Sequence, residues 1–160
     1  MFRATTATIA SVIVIALGLA ASSNLHAETP PGAVNDAGVI PLTPELLGKM
    51  EKFLKNAFAD AGARAEVAAV GKDPSVTYEK WGSAISAKCP KAVAIFKDVG
   101  LTPDEFGKGI IALRAVGLPE DEEGLKKSTD KTIQANIAFF AKNKARADAI
   151  FRDLLKIEDS

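Results

Sequence analysis

Cys89 is the residue whose type and neighbours are best suited to covalent or redox chemistry. It is the only cysteine of the chain, so no internal disulfide and no Cys-x-x-Cys motif can form. Lys88 and Lys91 flank it, and Pro90 places it at the start of a helix; both features favour a thiolate. We predict a buried thiol, with a reactive thiol at Cys89 as the alternative.

Chemistry that depends on histidine is excluded by composition. The only histidine is His26, which lies inside the predicted signal peptide, residues 1–27. A mature chain without imidazole cannot use Ser–His or Cys–His catalysis, His-ligated zinc or haem, or a Glu-x-x-His di-iron site. We predict that the protein is not an enzyme, has no catalytic residues and holds no metal or cofactor.

The acidic run from Glu120 to Glu123 contains the oxygen ligands that a hard cation such as calcium prefers. The run lacks the alternating Asp and Asn spacing of an EF-hand loop, and Lys126 and Lys127 follow it. We therefore interpret it as a solvated loop rather than as a metal site.

Three aromatic side chains are candidates for binding a ligand or a partner. Tyr78 and Trp81 are the only tyrosine and tryptophan, and their spacing of three places both on one face of a helix. Phe139 is adjacent to Phe140, so the two rings point about 100° apart and do not both fit one narrow core stripe. Core packing is the alternative for Tyr78 and Trp81, while one of the two phenylalanines lies at a second interface or under the N-terminal arm.

Asn136 and Asn143 are candidates for hydrogen bonding to a ligand or partner. They are seven residues apart, which is two helical turns, so their amides share one face. Solvated amides on the helix surface are the alternative.

The N-terminus has the pattern of a secretory signal peptide. Arg3 supplies positive charge, and the apolar run from Ile9 to Ala21 matches a signal core of about 7–15 residues rather than a membrane span of roughly 20. We predict cleavage after Ala27, with cuts after Ala21 or Ser22 and an uncleaved anchor as alternatives. The mature protein is then periplasmic or secreted.

The charge of the chain is balanced, with 20 basic and 20 acidic residues. Only Arg3 among them belongs to the predicted signal peptide, which leaves a net charge near −1. No basic excess is available for a nucleic acid backbone, and no second apolar run is long enough to span a bilayer. We predict no nucleic acid partner and no membrane span after cleavage.

The mature chain predicts an extended arm followed by one helical domain. Residues 28–42 are rich in Pro and Gly, and residues 43–157 lack the period-2 alternation of strands, so we predict a single all-α domain, a compact bundle of four to six helices. Capping residues, Gly and Pro predict one helix from Thr43 to a break or kink at Gly62. Residues 63–70 either continue it or form a short helix before Gly71. Further helices are predicted from Asp73 to Lys88, from Pro90 to Val99, and from near Thr129 with a break at Asn143 as an option.

The clearest helix lies between Leu101 and Pro119. Thr102 is its N-cap, Glu105 completes a capping box, and Leu101 and Phe106 have the spacing of a hydrophobic staple. Gly117 and Pro119 predict its end.

The tripeptide Leu-Thr-Pro occurs twice, at residues 42–44 and 101–103, each time followed by an acidic residue. It resembles the paired LTxxQ motif of small helical periplasmic stress chaperones, and the resemblance implies a chaperone-like binder. The fifth position departs from that motif, because it is Leu46 in one copy and Glu105 in the other. Cap, staple and first-turn Pro also explain both copies without kinship.

These observations predict an exported, non-enzymatic helical protein that acts through protein–protein interaction in the periplasm. It would be an inhibitor or immunity-type factor, an accessory subunit or a chaperone-like binder, and its partner would be another envelope protein. The alternative is a carrier of a small apolar ligand, with a cavity between helices lined by Tyr78, Trp81 and phenylalanines.

Overall fold

The computed structural model describes residues 39–117 and 127–160, and these residues form helices without any strand. The six helices are α1 (Pro44–Ala59), α2 (Ala61–Gly71), α3 (Tyr78–Lys88), α4 (Pro90–Asp98), α5 (Pro103–Gly117) and α6 (Lys131–Glu158). The all-α prediction is confirmed. The predicted signal peptide, most of the arm and the acidic run lie outside the described residues. None of the helices described has an apolar stretch long enough to cross a membrane.

The start of α5 is fixed by the predicted capping box. The backbone N–H of Glu105 donates to Thr102 Oγ1 at 3.1 Å, and the backbone N–H of Thr102 donates to Glu105 Oε2 at 2.8 Å. Leu101 and Phe106 are both buried, as a hydrophobic staple requires. The prediction of this helix start is confirmed.

A Schellman turn at Gly100 connects α4 to α5. Gly100 has a φ of 67°, a left-handed conformation that favours glycine. Its N–H donates to the Lys97 carbonyl at 3.1 Å, while the Leu101 N–H donates to the Phe96 carbonyl at 3.0 Å. These bonds satisfy carbonyls that the end of α4 would otherwise leave unpaired.

Two helix boundaries differ from the prediction because an aspartate side chain decides them. The first helix ends at Ala59 rather than Gly62, since Asp60 Oδ1 accepts the Ala63 N–H at 2.9 Å and thereby starts α2. Residues 61–71 therefore form a separate helix.

The other difference is the start of α3, which begins at Tyr78 and not at Pro74. Asp73 Oδ1 accepts hydrogen bonds from the N–H and the hydroxyl of Ser75, which makes a local turn instead of a helix cap. Lys88 also pairs with Asp73 Oδ2 at 3.0 Å and holds this turn against the end of α3.

The long helix α6 bends at Asn143, whose φ of −121° and ψ of 18° are non-helical. Asn143 Nδ2 donates to the carbonyl of Phe139 at 2.9 Å, a local bond that competes with the helical ladder. The predicted break at Asn143 is confirmed.

Four aromatic rings from four helices fill the centre of the described core. Phe53 of α1 stacks on Phe96 of α4 with 3.6 Å between ring centroids. The Phe106 ring of α5 lies 5.1 Å from Phe53 at the edge-to-face angle that ring quadrupoles favour, and 5.1 Å from Trp81 of α3 with a tilt of 30°. Helix α6 contributes its own buried aliphatic side chains, Ala147, Ile150, Leu154 and Ile157.

Helices α1 and α6 are joined along one side of the molecule. Arg146 of α6 donates two hydrogen bonds to Glu51 of α1, at 2.7 and 2.8 Å. Ten residues earlier on α6, Asn136 contacts the chain just before α1. The extended residues 39–42 therefore start beside the first half of α6.

Candidate functional site

The close contact between α3 and α5 positions the candidate site. A Cβ on Gly82 would lie 2.7 Å from the Asp104 Cα, so only glycine allows this approach. Gly107 faces the first turn of α3, where a Cβ added to it would lie 3.6 Å from the Tyr78 carbonyl oxygen. This packing brings Tyr78 at the start of α3 beside Arg114 near the end of α5.

Tyr78 and Arg114 form a stacked pair at this corner. The Arg114 guanidinium carbon lies 4.6 Å from the centroid of the Tyr78 ring, within the range of a cation–π interaction. Both side chains are half-buried. Burial raises the pKa of the Tyr78 phenol, while the positive charge of Arg114 opposes that shift. The phenol is therefore a neutral hydrogen-bonding group at physiological pH.

Arg114 forms no ion pair within the part of the chain that the structure describes. No carboxylate of residues 39–117 or 127–160 lies within 4.0 Å of its guanidinium. Its planar donors match the geometry of a carboxylate. The pair thus places a phenol and a cation side by side at the edge of the core.

Glu158, near the end of α6, is close enough to Tyr78 and Arg114 for their charges to act on one another. Its side chain is close to the backbone of Gly71, the residue is 8 % exposed, and Oε1 has no hydrogen-bond partner among the described residues. Burial raises the pKa of Glu158 to about 7, the charge of Asp159 adds to this shift, and Arg114 opposes it.

Sequence reasoning did not identify Arg114 or Glu158. Glu158 follows Leu154 by four residues, and Leu154 follows Ile150 by four. This spacing places a carboxylate on the apolar face of α6, a signal that was present in the sequence. Arg114 gives no such signal, because its contact with Tyr78 depends on how two separate helices pack.

The predicted aromatic pair is divided between the surface and the core. Trp81 is 2 % exposed and lies against Phe96 and Phe106, with ring centroids 6.2 and 5.1 Å away. Its indole Nε1 is buried without a partner among the described residues. Tyr78, one turn earlier, lies at the rim. Phe139 is half-buried and packs against the core, away from this pair in sequence and on another helix.

The side-chain amides of the two predicted asparagines form hydrogen bonds within the chain. Asn136 is 1 % exposed; its Oδ1 accepts the Leu42 N–H at 2.7 Å and its Nδ2 donates to the Ile40 carbonyl at 2.9 Å. Asn143 bonds within α6 at the kink. The structure does not bring either amide to the Tyr78–Arg114 pair.

Cys89 is a buried thiol at the junction of α3 and α4. It is 1 % exposed, and its Sγ lies 3.4 Å from the Glu66 carbonyl oxygen. Burial raises the pKa of Cys89 to about 11, the charge of Glu66 adds to the shift, and Lys88 opposes it. Glu66 Oε2 accepts the N–H groups of Lys91 and Ala92 and so occupies the N-terminus of α4.

The described parts of the chain contain no group of three or more His, Cys, Asp or Glu residues placed to hold a metal ion. No known family model, curated protein or solved structure matches this chain.

Proposed function

We propose that the protein binds another protein, without catalysis, through the surface centred on Tyr78 and Arg114. The observation that carries the proposal is the stacked and half-exposed arrangement of these two side chains at 4.6 Å. Tyrosine and arginine are concentrated at the energetic centres of interfaces. A pair that is already ordered loses little conformational entropy when a partner binds.

The chemistry of the pair specifies the partner surface. A carboxylate of the partner would accept bidentate hydrogen bonds from Arg114, and an apolar side chain would pack against the exposed edge of the stacked pair. We propose an envelope protein as the partner, with the chain exported to the periplasm or beyond. An inhibitor, an accessory subunit and a chaperone-like binder are all compatible roles.

A quantitative pull-down tests this proposal. The bait is the chain from Glu28 to Ser160, incubated with an envelope extract and analysed by mass spectrometry. Arg114→Ala is the test variant. Arg64→Ala is the matched control, because Arg64 also stacks on an aromatic ring, with 5.3 Å between its guanidinium carbon and the Phe58 centroid.

We expect one stoichiometric partner with the wild-type bait, loss of that partner with Arg114→Ala, and retention with Arg64→Ala. Many unrelated clients that increase with heat would instead identify the chaperone-like role. Equal capture by wild type and Arg114→Ala would reject the Tyr78–Arg114 surface.

A small-ligand carrier is the second candidate, favoured by a surface depression of about 460 Å³. This volume falls within the range of about 300–1,000 Å³ that is usual for ligand pockets. The depression lies beside α2 and is lined by Ala65, Glu66, Ala69, Val70, Lys88 and Cys89. This depression is not the cavity between helices that the sequence predicted. Trp81 and the core phenylalanines, which were expected to line that cavity, pack on one another instead.

Native mass spectrometry tests the carrier. A bound small molecule that disappears in Ala69→Trp, which fills the depression, would support it. A wild-type mass equal to that of the polypeptide alone would reject it.

A further inference from the structure

The end of α6 is docked on α2 through an unusual contact between a carboxyl group and a glycine. A Cβ on Gly71 would lie 2.7 Å from Glu158 Cγ and 3.3 Å from its Oε1. The carboxyl group thus fills the space that any other residue at position 71 would need. Oε1 is buried and has no hydrogen-bond partner in the described part of the chain.

Within residues 39–117 and 127–160, the charged and titratable groups near Glu158 do not provide it with a contacting cation. On its own helix Asp159 is a second acid, and Tyr78 of α3 is a neutral phenol. Arg114 of α5 acts on it through its charge but stacks over the Tyr78 ring. Lys72, which follows Gly71, donates its Nζ hydrogen bond to the Ser160 backbone oxygen at 2.9 Å.

The protonation state of Glu158 therefore decides how well this end of α6 is docked. A carboxylate in the contact loses its hydration without gaining a hydrogen bond, whereas the neutral acid does not carry this cost. Release of one helical turn would rehydrate the carboxylate. The turn is a small unit, since Ile157 is the buried apolar residue in it, while Ile150 and Leu154 hold the preceding turns.

We propose that the contact between Gly71 and Glu158 is a proton-operated latch, in which the protonated acid docks the last turn of α6 on α2 and loss of the proton releases that turn. The latch does not depend on partner binding by Tyr78 and Arg114.

The direction of the pH dependence follows from linkage. Docking raises the pKa of Glu158 from an ordinary value of 4.5 to about 7. Opening the latch therefore releases a proton between these pH values. The stabilisation of the docked state by the protonated acid is fully present below about 4.5 and is lost as the pH rises to about 7, with a tenfold increase in the opening equilibrium constant for roughly each pH unit and a plateau above.

Amide hydrogen exchange measured by NMR on the chain from Glu28 to Ser160 tests the latch. Exchange rates are divided by the intrinsic rate at each pH to give protection factors for Ile157, Glu158 and Asp159. In the wild type we expect these factors to fall about tenfold per pH unit between pH 5 and 7 and then level off. In Glu158→Gln, which has nearly the same shape but no proton to lose, we expect them to be constant.

Asp148→Asn is the matched control, because it removes an exposed carboxylate of α6 that pairs with Lys144 and lies far along the helix from Gly71. It should keep the wild-type profile. A pH-independent wild type, or a wild-type slope in Glu158→Gln, would overturn the proposal. A parallel loss of protection at Ile95 and Phe96 of α4 would also overturn it, because the whole domain would then be opening.

Discussion

Asn136 and Asn143 lie on the same helix, but their side chains have different hydrogen-bond partners. Asn136 satisfies the buried N–H of Leu42 and the carbonyl of Ile40, two groups that have no other partner in the described structure. We expect Asn136→Ala to lower the free energy of unfolding by about 2–3 kcal/mol, since it leaves both groups unpaired. Urea denaturation followed by circular dichroism measures the change.

Asn143→Ala is the control for that substitution. Its side chain bonds only to the Phe139 carbonyl within α6, and alanine has the higher helix propensity. We expect a change of less than about 0.5 kcal/mol. Equal losses of stability for the two variants would show that the hydrogen bonds from Asn136 to residues 40–42 contribute little to the free energy of unfolding.

Cys89 should be a slow nucleophile in the folded protein. With a pKa of about 11, roughly one thiol in a thousand is ionised at pH 8, and the sulfur is also buried. We expect iodoacetamide to modify the native chain at least about 100-fold more slowly than the same chain in urea. Comparable rates in the two states would contradict this description and favour the reactive thiol.

At the residue scale, the sequence predicts side-chain type and helix face but not the surroundings across a helix contact. Tyr78 was identified because it is the only tyrosine, and it lies at the proposed surface. Trp81 lies on the same face of α3 one turn later, and there it is buried in the core. Arg114 was not predicted as a binding residue, because its contact with Tyr78 forms only when α3 and α5 pack together.

Helix packing in this fold depends on the close approach of α3 and α5. Adding a Cβ at position 82 brings it within 2.7 Å of the Asp104 Cα and 2.9 Å of the Pro103 carbonyl oxygen, both of which are backbone atoms. Because backbone cannot rotate away, we expect Gly82→Ala to lower the free energy of unfolding by about 2–3 kcal/mol. Chemical denaturation measures this effect.

Gly48→Ala is the matched control, in the interior of α1. The nearest atom to its added Cβ is Arg146 Nη2 at 3.8 Å, an ordinary contact. Here alanine should raise the free energy of unfolding by about 0.5–1 kcal/mol through reduced backbone entropy of the unfolded chain. A loss of stability similar to that of Gly82→Ala would show that helix glycines are sensitive for some reason other than close packing.

At the element scale, local signals predicted α4, α5 and the kink in α6, because Pro90, the turn at Gly100, the Thr102–Glu105 capping box and the bond of Asn143 all involve residues close together in sequence. The same reasoning failed at Asp73, where Asp73-Pro74 resembles the cap-and-proline start at Thr102. The difference is a competing turn, since the Asp73 carboxylate bonds to Ser75 and to Lys88 from the end of α3. That competition involves a contact formed only after the chain folds.

At the scale of the whole molecule, the described core is filled by side chains and leaves two buried polar side-chain atoms without a partner among the described residues. Rings from four helices fill the centre. These two atoms are Trp81 Nε1 on α3 and Glu158 Oε1 on α6. The sequence predicts helices and export, but a surface defined by packing requires the structure.

Calorimetric titration of the captured partner into three forms of the chain tests the binding surface most directly. We expect Arg114→Ala to raise the Kd by about 10- to 30-fold, which corresponds to about 1.4–2 kcal/mol, the loss expected for a central arginine. Arg64→Ala should bind like the wild type, because Arg64 stacks on Phe58 and not on Tyr78. Equal Kd values for wild type and Arg114→Ala, or a selective loss in Arg64→Ala, would contradict the assignment of this surface.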